Sequence, residues 1–376
     1  MTAGPGAAWH TPEREALRGL VRRFVAGEVL PYLDEWERAG EVPRSLSRTA
    51  GDLGLLELGL TAGDAVDASI ATEEIITSGG SSGLVAALFT AGIAVPHLLA
   101  AGSAVLRERY AYPALRGDLI GALAVTEPGG GSDVAAIRTT ARRDGDQYVV
   151  DGAKTYITSG ARADFVTTAV RTEQGISLLV VPAGTPGFTV TRRLEKLGWH
   201  CSDTAELSYV DVRVPADHLI GPPGSGFAQL MTHFAAERLS LAVQAYATAA
   251  RCLALAAAWC ADRHAFGRPL LGRQVVRHRL AEMASRTDVA ATYVRHTVER
   301  VVAGQRLVTE VATAKNTAVA ACDFVVDQAV QLYGGAGYLR GTEVERHYRD
   351  ARVLGIGGGT TEIMNEIIAR QWERTQ

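Results

Sequence analysis

The chain has 376 residues, enough for two or three domains or one large layered unit. Hydrophobic residues make up 47% and charged residues 21%, which excludes disorder throughout. A formal net charge of -3 at pH 7 argues against a nucleic-acid binder, which would need a basic face. Almost all the positive charge is arginine; the lysines are Lys154, Lys196 and Lys315. Cys201, Cys252, Cys260 and Cys322 show no CxxC and no zinc spacing, so no metal site and a reducing compartment are expected. Met1 to Ala8 has no charged start leading into an apolar core, so no signal peptide is visible. No apolar run of about 18 residues lacks a charge or strong breaker, so no membrane span is expected. The expectation is a soluble, cytoplasmic protein.

In chain order, residues 11 to 119 read as helical. Leu17, Leu20, Val21, Phe24 and Val25 recur at helical spacing within Glu13 to Leu30. Thr11 stands before Glu13 and Glu15 as a helix start, and Pro31 ends or kinks the run. Ile70 to Ile76 and Leu84 to Leu99 continue the pattern across the breaker run from Ser78 to Gly83. Near residue 120 the character changes. Ile120 to Val125, Gln147 to Val150, Asp164 to Val170, Ile176 to Val181, Phe188 to Thr191 and Ala205 to Val214 are short, rich in Val, Ile, Thr and Tyr, and separated by turn residues. They predict a sandwich or barrel rather than a parallel α/β sheet. From 224 to 372 helices return: Ala235 to Asp262, Gln274 to Val302, Leu307 to Tyr333 and Glu362 to Trp372. The fold class is therefore α+β: an N-terminal helical domain (1–119), a central β-domain (120–222) and a C-terminal helical bundle (223–376).

Five segments carry candidate chemistry. Thr126-Glu127-Pro128-Gly129-Gly130-Gly131-Ser132-Asp133 follows a strand. Its glycines would let backbone N–H groups approach a phosphate or ring, and a wide turn between strands would look the same. No GxxxxGK[ST] or strand-linked GxGxxG is present. Asp151-Gly152 reads as a hairpin turn. Beyond it, Tyr156 and Thr158 would share a strand face and could stack on and hydrogen-bond a planar heterocycle. Gln331-Leu332-Tyr333-Gly334-Gly335 ends a long helix with a glycine cap that also permits close approach of a ligand or another chain. Gly357-Gly358-Gly359-Thr360-Thr361-Glu362 opens the last helix, where Thr360 or Thr361 can cap and free N–H groups favour developing negative charge. Glu237, beside Arg238 on apolar helical ground, is either a surface ion pair or a general base lifted by desolvation. The nine histidines read as structural or exposed.

Together these segments resemble the acyl-CoA dehydrogenase family over residues 11 to 372. Thr126 to Asp133, Arg263-His264-Ala265-Phe266-Gly267-Arg268-Pro269 with Gln274, and Tyr348-Arg349-Asp350-Ala351-Arg352 are specific to it. The resemblance implies an FAD enzyme, usually a homotetramer, that desaturates an acyl-CoA and passes electrons to an electron-transfer flavoprotein. It implies that Val125, Thr126, Gly131 and Ser132 line the flavin and pyrophosphate. Tyr156 would stand where the family more often has Trp, and Thr158 would bond the ring edge. Arg263, Phe266 and Gln274 would hold the adenosine end, with Gln331, Gly334 and Gly335 approaching from a different subunit. Thr360 and Glu362 match cofactor positions after the glycine turn, and Ser132 and Arg238 substrate positions. Many members carry the catalytic Glu where this chain has Gly358; a second branch, of isovaleryl- and long-chain type, carries it in a helical Glu-Arg pair, which Glu237-Arg238 matches. Glu237 is then the base and Gly358 the oxyanion N–H. The segment from Leu58 to Asp67 is shorter than the family's, so acyl length is not read from it. Rival readings are a dehydrogenase of carrier-protein-bound acyl groups, a flavin monooxygenase or oxidase on this scaffold, and a non-catalytic subunit of a hetero-oligomer.

Overall fold

The computed structural model describes residues 7–373, so the signal-peptide expectation for residues 1–8 falls mostly outside it. Helix α1 (Pro12–Phe24) begins as its sequence requires, with the Thr11 hydroxyl accepting from Arg14 N and proline at the first position. It was expected to run to Leu30. The α-helix stops at Phe24, and a π-turn over Val25–Val29 leads into Pro31. Short helices α2 (Leu33–Ala39) and α3 (Arg44–Asp52) follow. Helix α4 (Ala65–Thr77) starts at a reciprocal cap in which Asp64 and Asp67 satisfy each other's backbone N–H groups. Arg14 clamps both carboxylates at 2.8 Å, tying α1 to α4. The expected helix over 84–99 is three pieces: α5 (Ser82–Leu88), α6 (Ala91–Ala94) and α7 (Pro96–Ala101). Pro96 cannot donate within a continuous helix, so it starts α7 instead. Helices α8 (Ala104–Leu106) and α9 (Tyr112–Leu115) close the region.

The strands are β1 (Gly121–Ala124), β2 (Thr140–Asp144), β3 (Gln147–Thr158), β4 (Phe165–Thr172), β5 (Gly175–Pro182), β6 (Phe188–Arg193) and β7 (Thr204–Pro215). They form one seven-stranded sheet ordered β1-β4-β2-β3-β7-β6, with β5 on β4. Most pairs are antiparallel, yet β1 and β4 run parallel, so the sheet is mixed. It curls around one interior: Val166 and Leu179 from one half share a core with Leu207 and Val212 from the other. The Thr168 and Tyr209 hydroxyls meet at 3.1 Å across it. Strand β2 escaped the sequence because only Ala141 of its five residues is buried, which leaves no apolar alternation. Asp151-Gly152 is not a turn. It lies inside β3 at a register shift against β7, and the hairpin turns at Gly145 instead.

The bundle consists of α10 (Gly226–Asp262), α11 (Gln274–Val302), α12 (Val308–Tyr333), α13 (Glu343–Ala351) and α14 (Thr361–Glu373), with a two-residue hairpin β8 (His264–Ala265) and β9 (Arg268–Pro269) at the α10–α11 corner. Helix α10 starts nine residues before the expected Ala235, at Gly226, which packs against the Ser177 backbone. Contrary to the sequence expectation, α10 is long and apolar enough to cross a membrane, but its buried face is core. Ala242, Ala245, Ala249, Ala314, Ala318 and Ala329 pack in one cluster with Ile70, Ile75 and Leu84. The first and third zones therefore share a single core, and alanine lets α10, α12 and α4 approach closely. All four cysteines are buried free thiols. Asp350 on α13 pins the β-domain by accepting the Trp199 N–H at 2.6 Å, while Trp199 Nε1 donates to Ser82.

Candidate active site

The proposed residues fall into three places. The first is the loop after β1. Glu127 is buried beneath it and accepts from Arg138 N (2.6 Å), Thr139 N (2.8 Å) and Lys154 Nζ (2.9 Å). Lys154 is fully buried and also donates to Val125 O at 3.0 Å. Burial would raise the Glu127 carboxyl, but the bonds from Thr139, Lys154 and Arg138 hold it at about 2. Burial brings Lys154 down to about 8 against the pull of Glu127. This pair fixes the loop: Thr126 O accepts from Thr155 N (2.9 Å), and Gly131 packs on the Thr126 methyl. Gly129, Gly130, Gly131 and Ser132 are exposed at its crest. A methyl on Gly129 or Gly130 would meet no atom within 4 Å, so the chain's own packing leaves that space open. Tyr156 is 70% exposed with φ 59 at a second register shift in β3. That bulge breaks the alternation on which its shared face with Thr158 rested.

The second place joins α10, α12 and the turn before α14. Glu237 is half-buried. Burial pushes its carboxyl up from the ordinary range, and Arg238 and Lys315 oppose that rise. Gly358 adopts φ +63, and its missing Cβ would lie 3.5 Å from Glu237 Oε1 and 2.6 Å from Leu241 Cδ1. The carboxylate thus reaches the turn from the helix, where a side chain at 358 would stand. Arg238, expected at the substrate, is committed to the turn: its Nε donates to Gly358 O at 3.0 Å. Lys315, 1% exposed, donates to Gly357 O at 2.5 Å and to Gly359 O. Burial brings Lys315 down to about 8, with Glu237 pulling up and Arg238 down. Among the described residues no backbone carbonyl accepts the Gly358 or Gly359 N–H. Thr360 Oγ1 accepts from Ile363 N, making it the cap of α14, and Glu362 is exposed beside it. One turn before Glu237, His233 packs against the buried ring of His97 with centroids 4.6 Å apart. Burial, with His233 beside it, holds His97 at about 3, and burial lowers His233 from the ordinary imidazole range.

The third place is the other end of the bundle. Phe266 is 95% exposed with φ 50, and Arg273 lies over its ring at 5.4 Å. Gln274 opens α11 and lines an open groove with Val275, His278, Arg279 and Glu282. Arg263 lies over Trp259, which stacks on Tyr333 at 4.5 Å, next to Gly334 and Gly335. Arg263 and Gln331 were expected to reach one flavin from different subunits. The Trp259–Tyr333 stack places Arg263 beside the end of α12 that carries Gln331 in the same chain. Helix α10 has 37 residues, about 55 Å. Arg263 lies 26 residues beyond Glu237, roughly 39 Å along that axis.

Lysine and its carbonyl partners are what the sequence reading missed. Lys154, Lys196 and Lys315 each donate to backbone carbonyls, Lys196 to Ser202 O at 2.5 Å. The signal was the rarity of lysine in an arginine-rich chain: a compact three-donor ammonium fits under a loop where a planar guanidinium does not.

This three-zone fold, with an open glycine loop at the β-domain and a half-buried carboxylate against a glycine turn, is that of a flavin-dependent acyl thioester oxidoreductase. The description "Acyl-CoA dehydrogenase, N-terminal domain" matches residues 11–118, the middle domain 122–212 and the C-terminal domain 224–372. The chain therefore belongs to the acyl-CoA dehydrogenase family. It is 35% identical over 373 residues to the probable acyl-CoA dehydrogenase YngJ of Bacillus subtilis, covering 96% of this chain and 98% of that one. A probable acyl-CoA dehydrogenase from Mycobacterium abscessus is 59% identical, with TM-score 0.96 over 97% of this chain and all of that one. A glutaryl-CoA dehydrogenase from Mycobacterium smegmatis, solved in complex with FADH2, is 26% identical with TM-score 0.92, over 97% and 95% of the two chains. The protein is an FAD-dependent oxidoreductase. The open crest at Gly129 and Gly130 and the unaccepted N–H groups of the glycine turn fit such a cofactor and its substrate.

Proposed function

We propose that the protein catalyses α,β-dehydrogenation of an acyl-CoA to the trans-2-enoyl-CoA, with Glu237 removing the α proton. The observation that carries this is the position of Glu237 Oε1, 3.5 Å from the vacant Cβ position of Gly358. An α C–H is a poor acid, so the site must strengthen the base and stabilise charge on the thioester oxygen. Burial raises Glu237, which makes its carboxylate a stronger base. The free Gly358 N–H, in a turn held from behind by Arg238 and Lys315, is positioned to donate to the developing enolate oxygen. Bound FAD supplies the acceptor for the β hydride. The crest 125–132, fixed by Glu127 and Lys154, with Tyr156 and Thr158 on β3, would hold its ring and pyrophosphate. Thr360 and Glu362, at the start of α14, would add contacts to the cofactor.

The set formed by Arg263, Phe266, Gln274, Gln331, Gly334 and Gly335 would serve the adenosine end of a flavin whose ring lies in another chain. Its roughly 39 Å separation from Glu237 exceeds an extended flavin dinucleotide, so one chain cannot hold both ends. That geometry calls for a second chain at each flavin; the reading is a homotetramer of two such dimers, with an electron-transfer flavoprotein as acceptor. The test is Glu237→Gln. FAD content should persist, and reduction by the best acyl-CoA should slow by about 10²–10⁴-fold. Reduction at near the parental rate would show that the base lies elsewhere.

A further inference from the structure

Lys315 lies outside every motif, on the Ala-rich start of α12, yet it is among the most buried polar side chains. An ammonium taken from water costs several kcal/mol unless hydrogen bonds replace its hydration. Here two carbonyls do so, Gly357 O at 2.5 Å and Gly359 O, while Arg238 takes the carbonyl between them. Two cations from two helices thus hold three successive carbonyls of one turn. Three consecutive glycines left to themselves would sample many peptide orientations.

We infer that Lys315 is the positioning residue for the oxyanion donor: by holding the Gly357 carbonyl it aims the Gly358 N–H at the thioester oxygen. The inference rests on the function proposed above. Its geometry follows from the peptide unit itself. The C=O of Gly357 and the N–H of Gly358 belong to one planar group, and no described peptide is cis. In a trans unit they point in opposite directions. A Lys315 bond on one side therefore turns the N–H to the other side, and that N–H has no backbone acceptor among the described residues. The second Lys315 bond fixes the Gly359 carbonyl, so the turn cannot rotate about its middle without breaking one bond or the other. Lysine suits the task because one compact nitrogen reaches two carbonyls two residues apart. Nothing in this places Lys315 in contact with substrate; it acts through the backbone.

The test reads the thioester carbonyl itself. FAD-loaded protein is saturated with 3-thiaoctanoyl-CoA carrying carbon-13 at the carbonyl, an analogue that cannot lose a β hydride. Isotope-edited infrared spectroscopy then records how far binding lowers the C=O stretch. Parental protein should lower it. In Lys315→Met more than about half of that lowering should vanish, because the donor is no longer aimed. FAD content and oligomeric mass should hold, and kcat should fall about 10²-fold with KM nearly unchanged. Lys315→Gln keeps an N–H pair on a shorter reach and should give an intermediate band; it also serves if the methionine variant does not fold. A bound-state band at the parental position in whichever variant folds, with only the yield of folded protein reduced, overturns the inference and leaves Lys315 a structural residue. No lowering in the parental protein would instead overturn the oxyanion reading of the glycine turn, a failure separate from that of Lys315.

Discussion

A methyl group on Gly335 meets nothing within 4 Å in its own chain, and the residue is exposed just past α12. Gly335→Ala should therefore leave the isolated chain's stability unchanged or raise it by about 0.4–1 kcal/mol, through a less flexible unfolded state. In the assembled enzyme the expectation reverses. If Gly335 lies against the adenosine end of a flavin bound mainly by a neighbouring chain, the methyl intrudes on a filled site. Overpacking costs about 1–3 kcal/mol, which weakens FAD binding by about 5- to 150-fold. Flavin fluorescence titration of the apoprotein measures the affinity, light scattering the assembly, and urea unfolding of the apoprotein the chain's own stability. An FAD affinity within a factor of about two of the parent, with unchanged mass, would refute the shared-site reasoning, since a 1 kcal/mol clash would already exceed it. A lower urea midpoint would show instead that Gly335 packs within its own chain.

Gly358→Ala must hold a side chain at φ +63 and push Leu241 Cδ1 from 2.6 Å, so thermal unfolding should show a loss of about 2–4 kcal/mol. Its kcat should fall with it as the turn shifts; unchanged stability would mean the turn is looser than drawn. Glu127→Gln strips the charge partner from fully buried Lys154 and sets an amide donor against the Arg138 or Thr139 N–H. Denaturant unfolding at pH 7 should register about 3 kcal/mol, the lower end for a broken buried pair, because the amide oxygen still accepts. Glu127 and Glu343 are both held at about 2 in the fold against an ordinary 4.5. Their stabilisation is complete above pH 4.5 and is lost as pH falls toward 2, so acid unfolding should steepen in that window. Glu127→Gln should flatten that limb; an acid limb identical to the parent's would exclude Glu127 as a contributor.

Local pattern by itself determined the order of helices, strands and helices, because periodicity is written into neighbouring residues. It placed α11 at Gln274–Val302 without error and α12 within one residue, since long Ala- and Leu-rich runs leave helix as the stable choice. The resemblance carried by motifs such as Thr126 to Asp133 supplied the family and the pairing of Glu237 with Gly358. The sequence did not show β2, whose exposed arginines carry no alternation, nor that Asp151-Gly152 is a bulge, which depends on register against β7. Tertiary structure alone decided the rest, because those facts are distances between residues far apart in the chain. Packing of Trp259 on Tyr333 gathered Arg263 and Gly334 into one set, and the length of α10 carried that set away from Glu237. Folding of α12 against α10 brought Lys315 beneath a turn 42 residues ahead of it. An isolated lysine in an alanine-rich helix gives no sign of this; only the buried ammonium's need for acceptors, and the carbonyls that the fold puts within its reach, determine where it acts.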